Sequence, residues 1–290
     1  MESYRKLLVP VDGSESSRNA FRQAAILAQK EKSWITVITV IPPYDAKFDA
    51  GSVRDLVENA LRQEGEKIIA SIQKMADEEG LLIKTDIFVG NPPDVIVDLS
   101  EKNGFDLIVL GRRGRTRLQR ALMGGVTSRV IGLGKKDVLV VPDKMAIGWK
   151  TVLLPVDGSK RSEMALSSAI RFVKGQGGRL IAVSVVDVTE EFLSEAPAAV
   201  ETMQKKAREI VEKVKEKAEA QGVEADAVVG EGESFRVITD TARKRKADLI
   251  IMASHGRRGL RKVFMGSVTE KVIGYAPCPV LVVKQVTSKI

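Results

Sequence analysis

Apolar positions along the chain alternate between two spacings. Short runs rich in Val, Ile and Leu occupy 7–11, 34–41, 81–89, 106–110 and 138–141. Runs of this length, bounded by Gly, Pro or polar residues, predict strands buried on both faces. Between them the spacing changes to three and four. Ala20, Phe21, Ala24, Ala25 and Ala28 make one helix face behind Ser14, a good N-cap. Val53, Leu56, Val57, Ala60, Leu61, Ile68, Ile72 and Met75 space as a long amphipathic helix. Pro42 and Pro43 break the chain after the second strand, whereas Pro92 and Pro93 suit the first turn of a helix running to about Lys102. A short helix is predicted over 126–132.

The same succession then recurs. Strands are predicted at 151–156, 179–186, 225–229, 248–252 and 280–283, and helices near 159–174, 196–221, 234–246 and 267–275. KLLVPVDGS at 6–14 matches TVLLPVDGS at 151–159, which places Asp12 and Asp157 at an offset of 145 (157 − 12). DLIVLGRRG matches DLIIMASHG, with Gly114 and Gly256 at an offset of 142 (256 − 114). A net loss of three residues is expected in the connection after the second strand. So long a period means duplicated domains rather than a solenoid. Strands alternating with helices predict an α/β fold: two repeated doubly wound domains, each a parallel sheet flanked by helices through right-handed crossovers. The expected domains are 1–143 and 150–290, joined by a short linker within 142–149. The 290 residues accommodate two domains of ordinary size. Aromatic residues are only 4%, so Val, Ile, Leu and Ala must fill the cores.

Charge narrows the partners. The formal net charge of +8 favours anions: nucleotides, nucleic acid or acidic surfaces. Residues 107–136 contain no acid, yet Arg112, Arg113, Arg115, Arg117, Arg120, Arg129, Lys135 and Lys136 all fall there. Cys278 is the only cysteine and His255 the only histidine. An internal disulfide and a cysteine metal site are excluded, and a Ser-His-Asp triad could form at most once. The opening MESYRKLLVPVDG lacks an apolar signal core, and no run approaches the roughly 18 apolar residues of a membrane span. A cytoplasmic protein with no membrane partner is the default expectation.

In an open parallel sheet, ligands bind beyond the carboxyl ends of the strands. Two segments of each repeat belong there: PVDGS after the first strand, and a glycine loop after the fourth. There is no GxGxxG after the first strand and no GxxxxGK[ST]. Instead the chain carries Gly111-x2-Gly114-x9-Gly124-Gly125 and its copy Ala253-x2-Gly256-x9-Gly266-Ser267. Strand, glycine loop and helix start, in that order, present backbone N–H groups to an anion. Hydroxyls such as Ser267 or Thr269 are placed to donate to a phosphate oxygen, each such bond contributing about 1.5–3 kcal/mol.

On these residues the chain resembles the universal stress protein family, as a tandem of two copies covering essentially its whole length. The family motif is G-x2-G-x9-G-[S/T]. The resemblance implies a stress-response role and a five-stranded sheet of order 3-2-1-4-5. In the nucleotide-binding branch it implies ATP in the crevice, with Mg2+ carried by the phosphates. The residues that hold the adenosine match Asp12 and Val40, and Asp157 and Val185. Those that hold the phosphates match Gly111, Arg113, Gly114, Gly124, Gly125, Val126 and Thr127. In the second repeat they match Ala253, His255, Gly256, Gly266, Ser267, Val268 and Thr269. The resemblance also implies dimerisation through the last strand, which a tandem chain can satisfy internally between 138–141 and 280–283 and can extend to a homodimer.

Both copies depart from the motif. Gly125 stands where a hydroxyl is expected, and Thr127 is the residue placed to compensate. Ala253 replaces a glycine, at about 1–2 kcal/mol if a positive φ is needed there, and His255 stands in place of Arg113. A histidine is mostly neutral near pH 7, so the first site is expected to bind ATP more tightly.

Other readings compete. Asp12 and Asp157 would also cap turns, and the arginine run would also serve as a solvated face. GRRG at 111–114 and 256–259 resembles the clamp of an RNA-binding KH domain. That clamp joins two helices, whereas Gly111 ends a strand, and stacking aromatics other than Phe264 are missing from the loops. An enzyme is the third class. With no nucleophile–base pair legible, at most slow ATP hydrolysis is expected. The reading that fits best is a nucleotide-linked regulator or sensor.

Overall fold

A computed structural model of the chain describes residues 4–43, 51–113, 123–174, 176–255 and 265–284. The chain divides into two compact units, Met1–Lys144 and Met145–Ile290. In unit 1 the elements are β1 (Lys6–Pro10), α1 (Glu15–Glu31), β2 (Trp34–Ile41), α2 (Gly51–Glu78), β3 (Ile83–Val89), α3 (Pro92–Lys102), β4 (Leu107–Gly111), α4 (Gly125–Leu133) and β5 (Asp137–Val141). Every strand pairing in the unit is parallel. β1 lies between β2 and β4, with Leu7 opposite both Ile35 and Leu107; β3 flanks β2, and β5 flanks β4. Strand order reverses at β1, so the crevice opens where β1 and β4 end.

Unit 2 contains β6 (Thr151–Pro155), α5 (Lys160–Lys174), β7 (Arg179–Val186), α6 (Glu190–Glu195), α7 (Pro197–Glu219), β8 (Glu224–Glu231), α8 (Ser234–Lys244), β9 (Leu249–Ala253), α9 (Ser267–Tyr275) and β10 (Val280–Val283). Its pairings are again parallel, with β6 between β7 and β9, β8 beyond β7 and β10 beyond β9. Each unit is thus a doubly wound α/β domain.

The central strands are apolar because both faces are covered. Leu7, Leu8, Leu107 and Ile108 are fully buried in unit 1, as are Leu153, Leu154, Ile250 and Ile251 in unit 2. β3 instead alternates between half-buried and exposed, as a flanking strand should. One device pins the start of the first strand to the start of the fourth in both units. Asp106 Oδ2 accepts from the N–H groups of Arg5 and Lys6 at 2.9 Å each. In unit 2, Asp248 Oδ2 accepts from Thr151 N–H at 2.9 Å.

The three-residue difference between the repeats lies in the connection after the second strand. Gly90 N–H donates to Ile41 O at 2.9 Å, and Gly232 N–H to Val186 O at 3.1 Å. The offset is therefore 145 at the end of the second strand (186 − 41) and 142 before the next helix (232 − 90). In unit 2 the helix expected over 196–221 is α7, but one further helix was not expected. A separate α6 precedes it, capped by the Thr189 hydroxyl accepting from Phe192 N–H, and Pro197 then opens α7. Six residues are too few for periodicity to reveal.

Candidate functional site

In unit 2 the carboxyl ends of β6, β7 and β9 surround a cavity of about 550 Å³. That volume is within the usual range for small-molecule sites. Val156 N–H donates to Val183 O at 2.8 Å, extending the pairing one residue past β6 and delivering Asp157 to the cavity. Val185, half-buried in β7, lines the same space. β9 ends at Ala253, and the chain continues through Ser254 and His255. Gly266 N–H donates back to Ser254 O at 3.0 Å, closing the base of the loop, and α9 begins at the next residue. Asp157, Val185, Ala253, His255, Gly266, Ser267, Val268 and Thr269 all line the cavity. Gly256 lies outside the described residues.

The start of α9 is the electropositive wall. Its N-cap is Gly266, with no side-chain cap, and its first backbone bond runs from Glu270 N–H to Gly266 O at 3.0 Å. The N–H groups of residues 267–269 therefore precede the helical ladder and carry the positive end of the helix dipole. α1 differs: Ser14 caps it by accepting from Ser17 N–H. Ser159 accepts from Ser162 N–H at 3.3 Å in the same way in unit 2, whereas α4 and α9 have no side-chain cap. His255 adds a buried imidazole to this wall, its Nδ1 3.1 Å from Ser254 Oγ.

Several expected roles change. The Thr269 hydroxyl donates to Ala253 O at 3.2 Å, and the Thr127 hydroxyl to Gly111 O at 3.0 Å. Each hydroxyl has one proton, and here it ties the helix to the strand end. Thr127 as the donor that compensates for Gly125 is not what this geometry provides. Ser267, exposed at the start of α9, keeps a hydroxyl at the cavity. Gly111 does not serve a positive φ; it serves close packing. A Cβ there would meet Ser16 Oγ at 2.6 Å and the Ser16 backbone at 2.7 and 2.8 Å. Ala253 likewise has no positive φ, so the strain considered for it does not arise.

Asp12 and Asp157 both act as turn caps, as the plainer reading expected. Asp12 Oδ1 accepts from Ser14 N–H at 3.0 Å and Ser14 Oγ at 2.6 Å, and Asp157 Oδ1 accepts from Ser159 N–H at 3.0 Å. Between each pair sits a glycine at φ +76° or +74°, a backbone conformation glycine adopts without cost. Capping fixes each carboxylate at the carboxyl edge of the first strand, and does not remove it from the crevice.

In unit 1, Val40 lies half-buried near the end of β2, two residues beyond Ile38, whose carbonyl accepts from Val11 N–H at 2.8 Å. Gly124 N–H donates to Arg112 O at 2.9 Å, closing the loop base as Gly266 does, and α4 begins at Gly125 with Val126 exposed. The cations of this unit divide. Arg112 is folded inward: burial lowers its guanidinium pKa, adjacent Arg113 lowers it further, and Asp143 opposes both. Arg129 pairs with Asp94 at 3.3 Å and Lys135 with Glu101 at 3.0 Å, both across to α3. Arg113 is exposed at the loop. Gly114, Arg115, Arg117 and Arg120 lie outside the described residues.

The cavity also has walls that the motifs did not indicate. Met203, Lys206 and Ile210 come from α7, Ser234 and Ile238 from α8, and Asp187 follows directly on β7. An acid immediately after the second strand was a legible signal, since that position faces the crevice in doubly wound sheets. Among the described residues no group of three or more His, Cys, Asp or Glu is placed to hold a metal, and no helix is long and apolar enough to cross a membrane.

Fold and loop together define a duplicated doubly wound α/β protein with a glycine-loop crevice in each copy. The profile of the universal stress protein family matches residues 3–142 and again 148–284. A universal stress protein of Methanocaldococcus jannaschii is 38% identical over 140 residues, covering 48% of this chain and 82% of that protein. A tandem relative from Mycolicibacterium smegmatis, also a universal stress protein, is 28% identical over 289 residues, covering 96% of both chains. Among solved structures, a universal stress protein from Archaeoglobus fulgidus covers 98% of each chain with a TM-score of 0.75 at 22% identity, a likeness of fold. The chain belongs to the universal stress protein family, with two copies of the domain.

Proposed function

We propose that the protein is a nucleotide-linked stress regulator that binds ATP at the carboxyl edge of each unit. The observation that carries this reading is the unit 2 cavity. There Asp157, Val185, His255 and the uncapped start of α9 converge on one space of ligand size. An anion fits the α9 end, because N–H groups ahead of the helical ladder are donors without an intrahelical acceptor. A carboxylate at Asp157 and the apolar Val185 suit the opposite, nucleoside end. Mg2+ arrives with the phosphates, whose charge it shares. ATP then acts by linkage, stabilising the conformation in which the loops after β4 and β9 engage the phosphates.

Unit 1 takes the same ligand through Asp12, Val40, Gly111, Arg113, Gly114, Gly124, Gly125, Val126 and the backbone N–H of Thr127, with Arg113 as a permanent cation where unit 2 has His255. That difference makes unit 1 the tighter site. Thermal unfolding with Mg-ATP, ADP, AMP or an oligonucleotide tests the reading. At 100 times its dissociation constant, a ligand bound to one site stabilises by about 2.7 kcal/mol. No shift with any adenine nucleotide sinks the proposal. A shift with the oligonucleotide alone, falling steeply with salt, replaces it with nucleic-acid binding.

A further inference from the structure

Unit 2 carries a polar pair at its cavity mouth that unit 1 does not have. Asp187 follows the last residue of β7 and lines the cavity while remaining exposed at its rim. Ser234, the first residue of α8, lines the cavity too, and its hydroxyl donates to Asp187 Oδ2 at 2.7 Å. The backbone bonds that match Ile41 with Val186 and Gly90 with Gly232 fix the counterparts in unit 1. Asp187 corresponds to Pro42, and Ser234 to Pro92. Neither proline side chain has a hydrogen-bonding group, so this is a further difference of chemistry between the two edges.

Position along the sheet says what the pair faces. β7 is two strands from β9, with β6 between them. Two strand spacings are about 10 Å. The β9 side presents the α9 N–H groups, with the His255 imidazole beside them; the β7 side ends in the Asp187 carboxylate, and Lys206 of α7 is a further wall of the cavity. A phosphate seated at α9 leaves a ligand's sugar and base to run towards β7. An acceptor there, with one oxygen anchored by Ser234, suits a sugar's hydroxyl donors.

We propose that Asp187, held by Ser234, adds a second acceptor to Asp157 and makes the unit 2 site more selective for a ribose with its vicinal 2′- and 3′-hydroxyls than unit 1, which has Asp12 alone. The inference rests on the nucleotide reading of unit 2. Ser234 is a positioning residue, acting through Asp187.

The test is calorimetric titration of the full chain with Mg-ATP, Mg-2′-deoxyATP and Mg-3′-deoxyATP, resolved into two classes of site. One site is expected to lose roughly tenfold to a hundredfold in affinity when a hydroxyl is removed, the range for a bond to a charged acceptor, and the other clearly less. In Asp187→Ala and Asp187→Asn, discrimination at the selective site falls to that of the other site while two equivalents of ATP still bind. Ser234→Ala narrows the ribose-to-deoxyribose ratio, and Ser234→Thr restores it, at an unchanged melting temperature in the absence of ligand. Equal discrimination by the two sites, or discrimination at the selective site unchanged by Asp187→Ala, overturns this inference and leaves the nucleotide reading standing. No binding of any adenine nucleotide overturns both.

Discussion

The two carboxyl edges share their scaffold and differ in what they present to a ligand. Asp106 and Asp248 pin the first strand to the fourth. Gly13 and Gly158 turn the chain towards its helix at positive φ. Gly124 and Gly266 close the loop bases, and Thr127 and Thr269 tie the following helix back to the strand end. All of these bonds join one part of the chain to another. The positions that change are Gly111 and Ala253, Arg113 and His255, Gly125 and Ser267, Pro42 and Asp187, and Pro92 and Ser234. Bonds internal to the chain constrain both copies alike, because each fixes where one element of the fold meets another. Groups facing the crevice are under no such constraint. Two sites on one chain are then free to differ in affinity and selectivity.

The sharpest way to break this comparison is at Gly111, the one changed position that also packs inside the unit. A Cβ there would lie 2.6–2.8 Å from Ser16, two of the three approaches being to backbone atoms. Gly111→Ala is expected to destabilise the protein by about 1–3 kcal/mol, measured by urea unfolding. Ala253→Gly removes no clash and should stay within about 1 kcal/mol. If Gly111→Ala matches the parent protein, the two strand ends are interchangeable and this difference between the units dissolves.

Next in size is a carboxylate at the helix starts. Val126 and Val268 are exposed in the first turns of α4 and α9. An Asp there stabilises a helix through its dipole by about 0.3–1 kcal/mol. The same charge repels phosphate, so Val126→Asp and Val268→Asp should each weaken ATP binding at their own site by at least about tenfold, or ~1.4 kcal/mol. Folding and binding then move in opposite directions, which a general loss of structure cannot mimic. If residual binding is stronger in Val126→Asp than in Val268→Asp, unit 2 holds the tighter site and the ranking by Arg113 is reversed.

How far the sequence could be read is itself uneven, for physical reasons. β2, β7, α3 and α9 match their expected bounds because β-branched runs or Pro and Gly signals enclose them. The unit 2 positions matched through the family resemblance line one cavity wherever they are described. What escaped were contacts between residues distant in sequence. Arg129 and Lys135 looked like part of a phosphate cluster until Asp94 and Glu101, on another helix, appeared beside them. Exposed pairs of this kind contribute at most about 1 kcal/mol, yet they redirect the charge. The packing role of Gly111 was hidden because Ser16 is 95 positions away (111 − 16). Asp187 went unmarked because no motif contains it.

A smaller change bears on the hydroxyl difference. A Cβ added at Gly125 would have nothing within 4 Å, and this residue opens a helix. Gly125→Ser is expected to stabilise unit 1 by about 0.5–1 kcal/mol through the unfolded chain's lost freedom. It should also tighten ATP binding there by roughly threefold to tenfold, within the range of one added hydrogen bond. Ser267→Gly should do the reverse in unit 2. If calorimetry shows neither affinity moving, the serine hydroxyl does not reach the phosphates and the two helix starts are equivalent.

The last difference lies at the opposite ends of the sheets and has no effect near neutral pH. Where unit 1 has Lys135, Lys136 and Asp137, unit 2 has Pro277, Cys278 and Pro279. In unit 1 this stretch is polar: Lys135 pairs with Glu101, and Asp137 accepts from the Tyr4 hydroxyl at 2.7 Å. In unit 2 Cys278 is buried; burial first and the Asp248 charge second push its thiol from an ordinary value of 9.0 up to about 12, against a backbone bond with Ile250. A thiol raised in the folded state leaves stability whole below pH 9 and removes it progressively as pH climbs from 9 towards about 12, because only the unfolded chain ionises there. In Cys278→Ala that alkaline loss should be smaller, read as the difference between the two proteins' urea midpoints across this window. With an aromatic disulfide reagent at pH 8, the native thiol should stay unmodified, and one equivalent per chain should react after unfolding. Rapid labelling of the folded protein would mean that the stretch before β10 opens as freely as its charged counterpart in unit 1, and the contrast between these two ends would fail.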